Sequence, residues 1–150
     1  MRTRQLHEID GKRTFAVVLS VGDEAMACLK EFAASQNIGS AQITAIGALS
    51  AAEIAFFDWE SKKYLPIEID EQVEVASLIG DIARDPDGTA AVHVHAVLSD
   101  RTGAARAGHL NKGYVRPTLE AIVTETPAHL QKVHDPESGL ALIKLAQSAT

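Results

Sequence analysis

From residue 42 onward the sequence consists of short β-type runs, each ended by small or turn-forming residues. A single earlier segment is helical: apolar residues recur at helical spacing after Gly22-Asp23-Glu24, and the helix is predicted to end near Asn37. The predicted strands are Arg13–Leu19, Gln42–Gly47, Glu53–Asp58, Lys63–Ile69, Gln72–Ile79, Ala90–Leu98, Ala104–Leu110 and Val115–Glu125, with a last apolar segment, Leu140–Leu145, of open type. One helix and many strands predict an α+β domain, with a central, largely antiparallel β-sheet flanked by one main helix.

The length and composition fit one globular domain. The chain has 150 residues, of which 46% are hydrophobic and 23% charged, as is usual for globular proteins. No repeat or linker divides it, so we expect a tail at residues 1–11 and a domain at residues 12–146. The net charge of −6 disfavours loose electrostatic binding to nucleic acid, which depends on neutralising several phosphates.

The sequence gives no sign of a membrane or of an oxidising compartment. No apolar run approaches the roughly 18–20 residues that a bilayer span needs, and the first ten residues contain no apolar core of a secretory signal. The single cysteine, Cys28, cannot form an internal disulfide. We therefore expect a cytoplasmic protein without membrane contact.

Three histidines fall at informative positions in a predicted hairpin. His93 and His95 are two residues apart on a strand, so their side chains project from the same face. The segment 101–103 suits a three-residue loop that ends in Gly103. If residues 100 and 104 close that loop, cross-strand partners have numbers that sum to 204, and His95 lies opposite His109. The three imidazoles then converge on one face of the hairpin.

Three converging imidazoles predict a site for Zn²⁺ or a similar divalent ion at His93, His95 and His109. The fourth position is open to water, a substrate or a side chain such as Glu120. The alternative is that these are ordinary strand histidines bonded to water or backbone, and a shift of one residue in the loop register would turn His109 to the other face. The remaining histidines, at positions 7, 129 and 134, are expected at the surface.

Several short motifs follow one another in a fixed order along the chain. They are Ala45-Ile-Gly-Ala-Leu-Ser50, Phe56-Phe-Asp58, Lys63-Tyr64, Glu74-Val75, Ser77-Leu78, Gly80-Asp-Ile82, His93-Val-His95, Leu98-Ser-Asp100, Gly108-His-Leu110 and Thr118-Leu-Glu120. In this order they resemble the plant-and-prokaryote-conserved (PPC) domain, also called domain of unknown function 296 and often labelled "PD1-like DNA-binding". The resemblance covers about residues 12 to 145.

This resemblance implies a homotrimer built on an antiparallel sheet, similar in fold to acetolactate decarboxylase, with a metal at the matching histidines. In plants the domain accompanies an AT-hook, an Arg-Gly-Arg-Pro segment that enters the DNA minor groove. The present sequence contains no such segment, and its acidic balance also argues against direct DNA binding.

Two functions from different classes follow. The first is a metal-stabilised trimer that serves as a binding or assembly module for a protein partner or a small molecule. The second is a zinc-dependent enzyme of the lyase or decarboxylase kind, in which Glu120 or Glu74 acts as acid or base and Arg116 or Arg106 holds a substrate carboxylate. Direct DNA binding, which the family label suggests, is a third alternative.

Adjacent aromatic residues on one short strand bear on the expected trimer. Phe56, Phe57 and nearby Trp59 cannot all face one core, because successive strand residues point to opposite faces. The surplus aromatic surface is either an interface between chains or covered within one chain.

Overall fold

The structure, a computed structural model, describes residues 1–126 and 130–145. Within these residues the chain forms one helix and nine strands: β1 (Arg2–Ile9), β2 (Lys12–Ser20), α1 (Ala25–Ser35), β3 (Ala41–Asp58), β4 (Lys63–Ile69), β5 (Val73–Arg84), β6 (Ala90–Ser99), β7 (Ala105–Glu125), β8 (Lys132–His134) and β9 (Ala141–Ile143). The predicted α+β class is confirmed. In the described ranges no helix is long and apolar enough to cross a membrane.

Seven strands form one antiparallel sheet, in the order β1-β2-β7-β6-β5-β3-β4. Strand β7 also pairs with β3, so β7, β6, β5 and β3 close into a ring. Along β6, Val92, Val94 and Ala96 are buried, whereas the alternate residues point outward. The two histidines of β6 therefore lie on the outer face of the sheet.

The helix α1 begins at a side-chain cap. The Glu24 carboxylate accepts hydrogen bonds from the backbone N–H groups of Met26 at 3.1 Å and Ala27 at 2.8 Å, which satisfies donors that a helix start leaves free. It also accepts from the N–H of Gly113 in β7 at 2.9 Å, so the cap ties the helix to the sheet. The predicted apolar face of the helix is buried, including Leu29 and Phe32, and packs against β6 and β7.

The N-terminal segment differs from the expected solvated tail. Residues 2–9 form the edge strand β1, which pairs with β2 although all of its residues are exposed. The pairing supplies backbone hydrogen bonds without burying side chains. The sequence of β1 therefore lacks the alternation of apolar and polar residues from which a strand is predicted. The expected domain end at residue 146 lies outside the described residues.

Two of the observed strands, β3 and β7, each combine two segments that were predicted as separate strands. Strand β3 runs through the small residues after Gly47, and β7 joins the segments that were expected at residues 104–110 and 115–125. Register shifts in the β3–β7 pairing lie where turns were expected. Small residues therefore produce bulges here, which bend a strand without ending it.

An ion pair fastens the end of β7 to β2. The Arg13 guanidinium donates to both carboxylate oxygens of Glu125, at 2.9 and 2.7 Å, and to the carbonyl of Gln36 at 2.9 Å. The Arg13 backbone N–H also donates to Glu125, at 2.8 Å. Both side chains are largely buried, with 26% and 16% exposed. Bidentate, charge-assisted hydrogen bonds of this kind are stronger than surface ion pairs.

The Glu125→Gln variant is expected to lower the free energy of unfolding at neutral pH by about 1–2 kcal/mol. Hydrogen bonds from Arg13 hold the pKa of Glu125 below its ordinary value. The stabilisation is therefore present above that ordinary value and is lost as the pH falls through the lowered one. Urea unfolding at neutral and acid pH measures it: the deficit of the variant should shrink in acid. Exposed Glu68 provides the control, Glu68→Gln, and equal effects of both variants would contradict the assignment.

Candidate metal centre

The hairpin between β6 and β7 has the predicted register. The backbone N–H of Asp100 donates to the carbonyl of Ala104 at 3.0 Å, and Gly103 has a φ of 83°. The Asp100 carboxylate accepts from the N–H of Thr102 at 2.8 Å, which stabilises the loop. Cross-strand numbers sum to 204, so His95 lies opposite His109. The predicted convergence of the histidine side chains follows from this register.

The three imidazole rings form a compact cluster. The ring centroids lie 5.2 Å apart for His93 and His95, 5.1 Å for His93 and His109, and 5.6 Å for His95 and His109. One nitrogen from each ring can be chosen so that all three lie within 4.8 Å of one another. Within the described part of the chain, no other group of three potential ligands of this kind occurs.

The chemistry of the cluster fits a divalent metal ion. The Nδ1 atom of His109 is buried and has no hydrogen-bond partner among the described residues, which is costly unless a ligand completes the site. Burial, and then the charges of His93 and His95, lower the pKa of His109 to about 4. Burial, followed by the charge of His93, also lowers the pKa of His95. The neutral imidazole, which is the form that binds metals, is thus favoured.

Two residues that were not predicted as site residues lie against the cluster. Asp81 of β5 pairs with His93 across the strands, and its Oδ2 lies 3.7 Å from His93 Nδ1. Its other oxygen, Oδ1, is buried without a partner in the described residues. The ring of Tyr64 in β4 stacks on His109 with centroids 4.7 Å apart. A carboxylate behind a metal-binding histidine orients the ring and raises its basicity.

A cleft of about 480 Å³ opens beside two of the rings; we call it the histidine cleft. Strands β8 and β9 form part of its wall. Its lining residues are Tyr64, Asp81, Asp85, Ala91, Val92, His93, His109, Lys132, Leu140, Ala141, Leu142 and Ile143.

The acidic and basic candidates for catalysis lie elsewhere. Glu120, Glu74, Arg116 and Arg106 are all exposed, and none of them lines the histidine cleft. Glu120 follows His109 by eleven residues along β7 and pairs with Ile46. The structure therefore does not place it at the fourth position, which was left open to water, a substrate or such a side chain. Arg106 is bound to a surface carboxylate at 2.9 Å. The structure brings none of these four to the imidazoles.

The other histidines are not part of the cluster. His7 and His134 are exposed on β1 and β8, as expected for surface residues. His129 lies outside the described residues.

The fold and the histidine cluster together define an α+β protein with a candidate three-histidine centre, and comparison with known families gives its family. Residues 7–127 match the family described as the Plants and Prokaryotes Conserved (PCC) domain. The chain belongs to this family, which confirms the resemblance of the sequence to the PPC domain. A comparison with curated proteins gave no match.

Solved structures of similar fold agree with this membership. A plant- and prokaryote-conserved protein of Pyrococcus horikoshii is 30% identical with a TM-score of 0.83, covering 90% of this chain and 93% of its own. The metal-containing protein AF0104 of Archaeoglobus fulgidus is 29% identical with a TM-score of 0.81, covering 88% and 93%. Acetolactate decarboxylase of Bacillus subtilis subspecies spizizenii shares the fold alone: it is 12% identical with a TM-score of 0.52, covering 74% and 52%.

Proposed function

We propose that the protein binds one divalent metal ion, zinc, through His93, His95 and His109, and works as a homotrimeric binding or assembly module. The observation that most directly supports metal binding is the cluster of three imidazole nitrogens within 4.8 Å of one another. Elemental analysis of protein purified after supply with zinc tests it. One ion per chain is expected, and metal-free protein would contradict the proposal.

Ligand chemistry supports the choice of zinc, and a relative supports metal binding in general. Neutral imidazoles bind Zn²⁺ well, and three protein ligands leave a position open for water or another molecule. The Archaeoglobus fulgidus relative, at 29% identity, is described as a metal-containing protein. We extend that property to this chain because the donor set suits it.

The outer face of the sheet supports the proposed trimer. Ile46, Ile79 and Ile122 are 63%, 57% and 42% exposed. They adjoin one another, because Thr44 pairs with Ile79 on one side and with Ile122 on the other, and Ile46 follows on the same face. The surplus aromatics Phe56 and Trp59 are also exposed. Clustered apolar surface of this kind usually marks a contact between chains.

The Ile46→Lys variant is expected to convert a trimer of three 16.0 kDa chains into monomers at micromolar concentration. The lysine would place a charge inside the proposed interface, where burial is costly. Each monomer should tolerate it, because position 46 pairs with Glu120. Light scattering measures the mass, and Ile9→Lys at the exposed tip of β1 is the control. Monomeric wild-type protein would contradict the trimer, and an intact trimer in the Ile46 variant would contradict this interface.

The Asp81→Asn variant is expected to weaken zinc binding by about 10- to 100-fold, as is typical for loss of a carboxylate behind a metal-binding histidine. The substitution keeps the shape of the side chain and removes the charge beside His93 Nδ1. Competition with a chromophoric chelator measures the affinity. The matched control is Asp70→Asn, at an exposed position. Zinc affinities that agree within twofold for the two variants would show that Asp81 does not support the site.

A zinc-dependent lyase is the second candidate function. Three ligands leave an open metal position, the histidine cleft has a volume typical of small-molecule sites, and the fold is shared with acetolactate decarboxylase. Bound zinc would supply a Lewis acid. Release of carbon dioxide from acetolactate by zinc-loaded protein, lost in His109→Ala, would establish this activity. We rank it second, because shared fold does not imply shared reaction and the acidic candidates lie away from the rings.

Direct DNA binding is the third candidate, and the proposal does not include it. The net charge of −6 and the lack of an Arg-Gly-Arg-Pro segment both disfavour contacts with phosphates or the minor groove. The family label supports it, as do two relatives of known structure, from Bacteroides thetaiotaomicron and Ralstonia eutropha, that are each described as a "putative DNA-binding protein".

A further inference from the structure

We propose that the histidine cleft binds a small organic carboxylate with a short apolar part, held between the open metal position and the ammonium group of Lys132. This inference rests on the metal binding proposed above. It adds a class of ligand and a second binding group.

The first argument is the placement of Lys132. Residues 130 and 131 lie along the end of β5: Gln131 forms a bridge with Arg84, whose N–H donates to the carbonyl of Leu130 at 2.9 Å. The N–H of Lys144 donates to the carbonyl of Gln131 at 2.9 Å, which joins β9 to the same segment. These bonds position Lys132 in the wall of the cleft that holds His93 and His109.

The second argument is the charge that this cleft carries. No ion pair of Lys132 occurs within residues 1–126 and 130–145, so its ammonium group is available to a ligand. The cleft also contains two carboxylates, of Asp81 and Asp85. Two negative charges, one ammonium and one divalent ion leave a net charge of +1, which favours a monoanion. A carboxylate is both a metal ligand and a partner for an ammonium group.

The third argument is the apolar part of the wall. Leu140, Ala141, Leu142 and Ile143 line the cleft, and Leu142 and Ile143 are 46% and 40% exposed. A ligand with a short hydrocarbon chain would cover this surface and gain from its burial. Inorganic phosphate offers no such group, so the wall favours an organic acid.

The test uses the full-length protein loaded with cobalt(II), whose visible absorption reports changes in the metal's coordination. Acetate, butyrate and inorganic phosphate are titrated separately. Butyrate is expected to bind about 15-fold more tightly than acetate, since it has two more methylenes and each buried methylene contributes roughly fourfold. Phosphate is expected to bind more weakly than butyrate.

Matched variants assign the binding to the cleft. Lys132→Met should weaken both carboxylates about tenfold or more, while cobalt still binds at least as tightly as in the wild-type chain because one positive charge near His109 is removed. Retained cobalt binding also shows that the metal site is intact. Lys12→Met, at a position that does not line the histidine cleft, is the control and should have no effect. Leu142→Ser should reduce the preference for butyrate over acetate without abolishing acetate binding.

The outcomes separate this inference from the metal proposal. Failure of cobalt to bind would overturn both. Cobalt binding with a spectrum that carboxylates leave unchanged would overturn the carboxylate site alone. Phosphate binding more tightly than butyrate, or equal carboxylate affinity in Lys132→Met and Lys12→Met, would also overturn it.

Discussion

Replacement of His109 by alanine is expected to lower the affinity for zinc by at least about 100-fold, because it removes one of three ligands, a greater loss than that of a supporting residue. His109 lies beside both of the other histidines. Its ring lies 5.1 Å from His93 and 5.6 Å from His95, and its Nδ1 is buried without a partner in the described residues. Chelator competition measures the affinity.

The same substitution should have a different effect on the metal-free protein. Without an ion the wild-type chain keeps the buried Nδ1 of His109, which has no hydrogen-bond partner within residues 1–126 and 130–145. Removal of this imidazole therefore relieves a polar cost while creating a small gap. We therefore expect a change in unfolding free energy much smaller than the loss of zinc binding. The control is His134→Ala, at an exposed position outside the cluster. Equal zinc affinity in the two variants would contradict the proposed site.

The Gly80→Ala variant is expected to destabilise the protein by about 3 kcal/mol, at the upper end for overpacking. A Cβ atom at this position would lie 2.0 Å from the backbone oxygen of His93 and 2.7 Å from the Cα atom of Val94. Backbone atoms in a sheet are held by the hydrogen bonds of the whole strand and cannot shift one at a time. The added Cβ atom would therefore push β5 and β6 apart next to the two histidines of β6. Thermal and urea unfolding measure the loss.

A second glycine provides the matched comparison. At Gly113 the nearest atom to an added Cβ is Leu49 Cδ1 at 3.0 Å, the end of a flexible side chain. The Gly113→Ala variant is therefore expected to cost about 1 kcal/mol or less. If Gly80→Ala were as stable as Gly113→Ala, the close approach of β5 and β6 described here would be wrong.

The histidine cluster could be predicted from sequence because a single short loop determines it. Gly103 supplies the positive φ that a three-residue loop needs, and counting outward from residues 100 and 104 pairs His95 with His109. The alternation along β6 then places His93 on the same face. Local geometry was sufficient here.

The sequence analysis missed Asp81, the carboxylate beside His93, although a similar count of residue numbers could have found it. The turn at residues 85–89 closes with a hydrogen bond from the N–H of Asp85 to the carbonyl of Thr89. Cross-strand partners on either side of this turn therefore have numbers that sum to 174, and Asp81 pairs with His93. The predicted strand ended at Ile79, before Asp81. A bulge between Val75 and Ser77 disturbs the alternation on which that prediction depended.

Other features depend on contacts that are distant in sequence. Strand β3 continues beyond Gly47 because β5 and β7 pair with it on both sides, and small residues there do not reveal these partners. The short ribbon of β8 and β9 lines the histidine cleft through its link to Arg84. Three-residue strands carry too little pattern to be recognised or placed from the sequence.

Anomalous diffraction from crystals grown with zinc, collected on both sides of the zinc absorption edge, tests the metal centre most directly. We expect one strong peak per chain, about 2.0–2.1 Å from a nitrogen of each of His93, His95 and His109. A peak at other residues, or no peak in a structure where the three rings stand apart, would contradict the account.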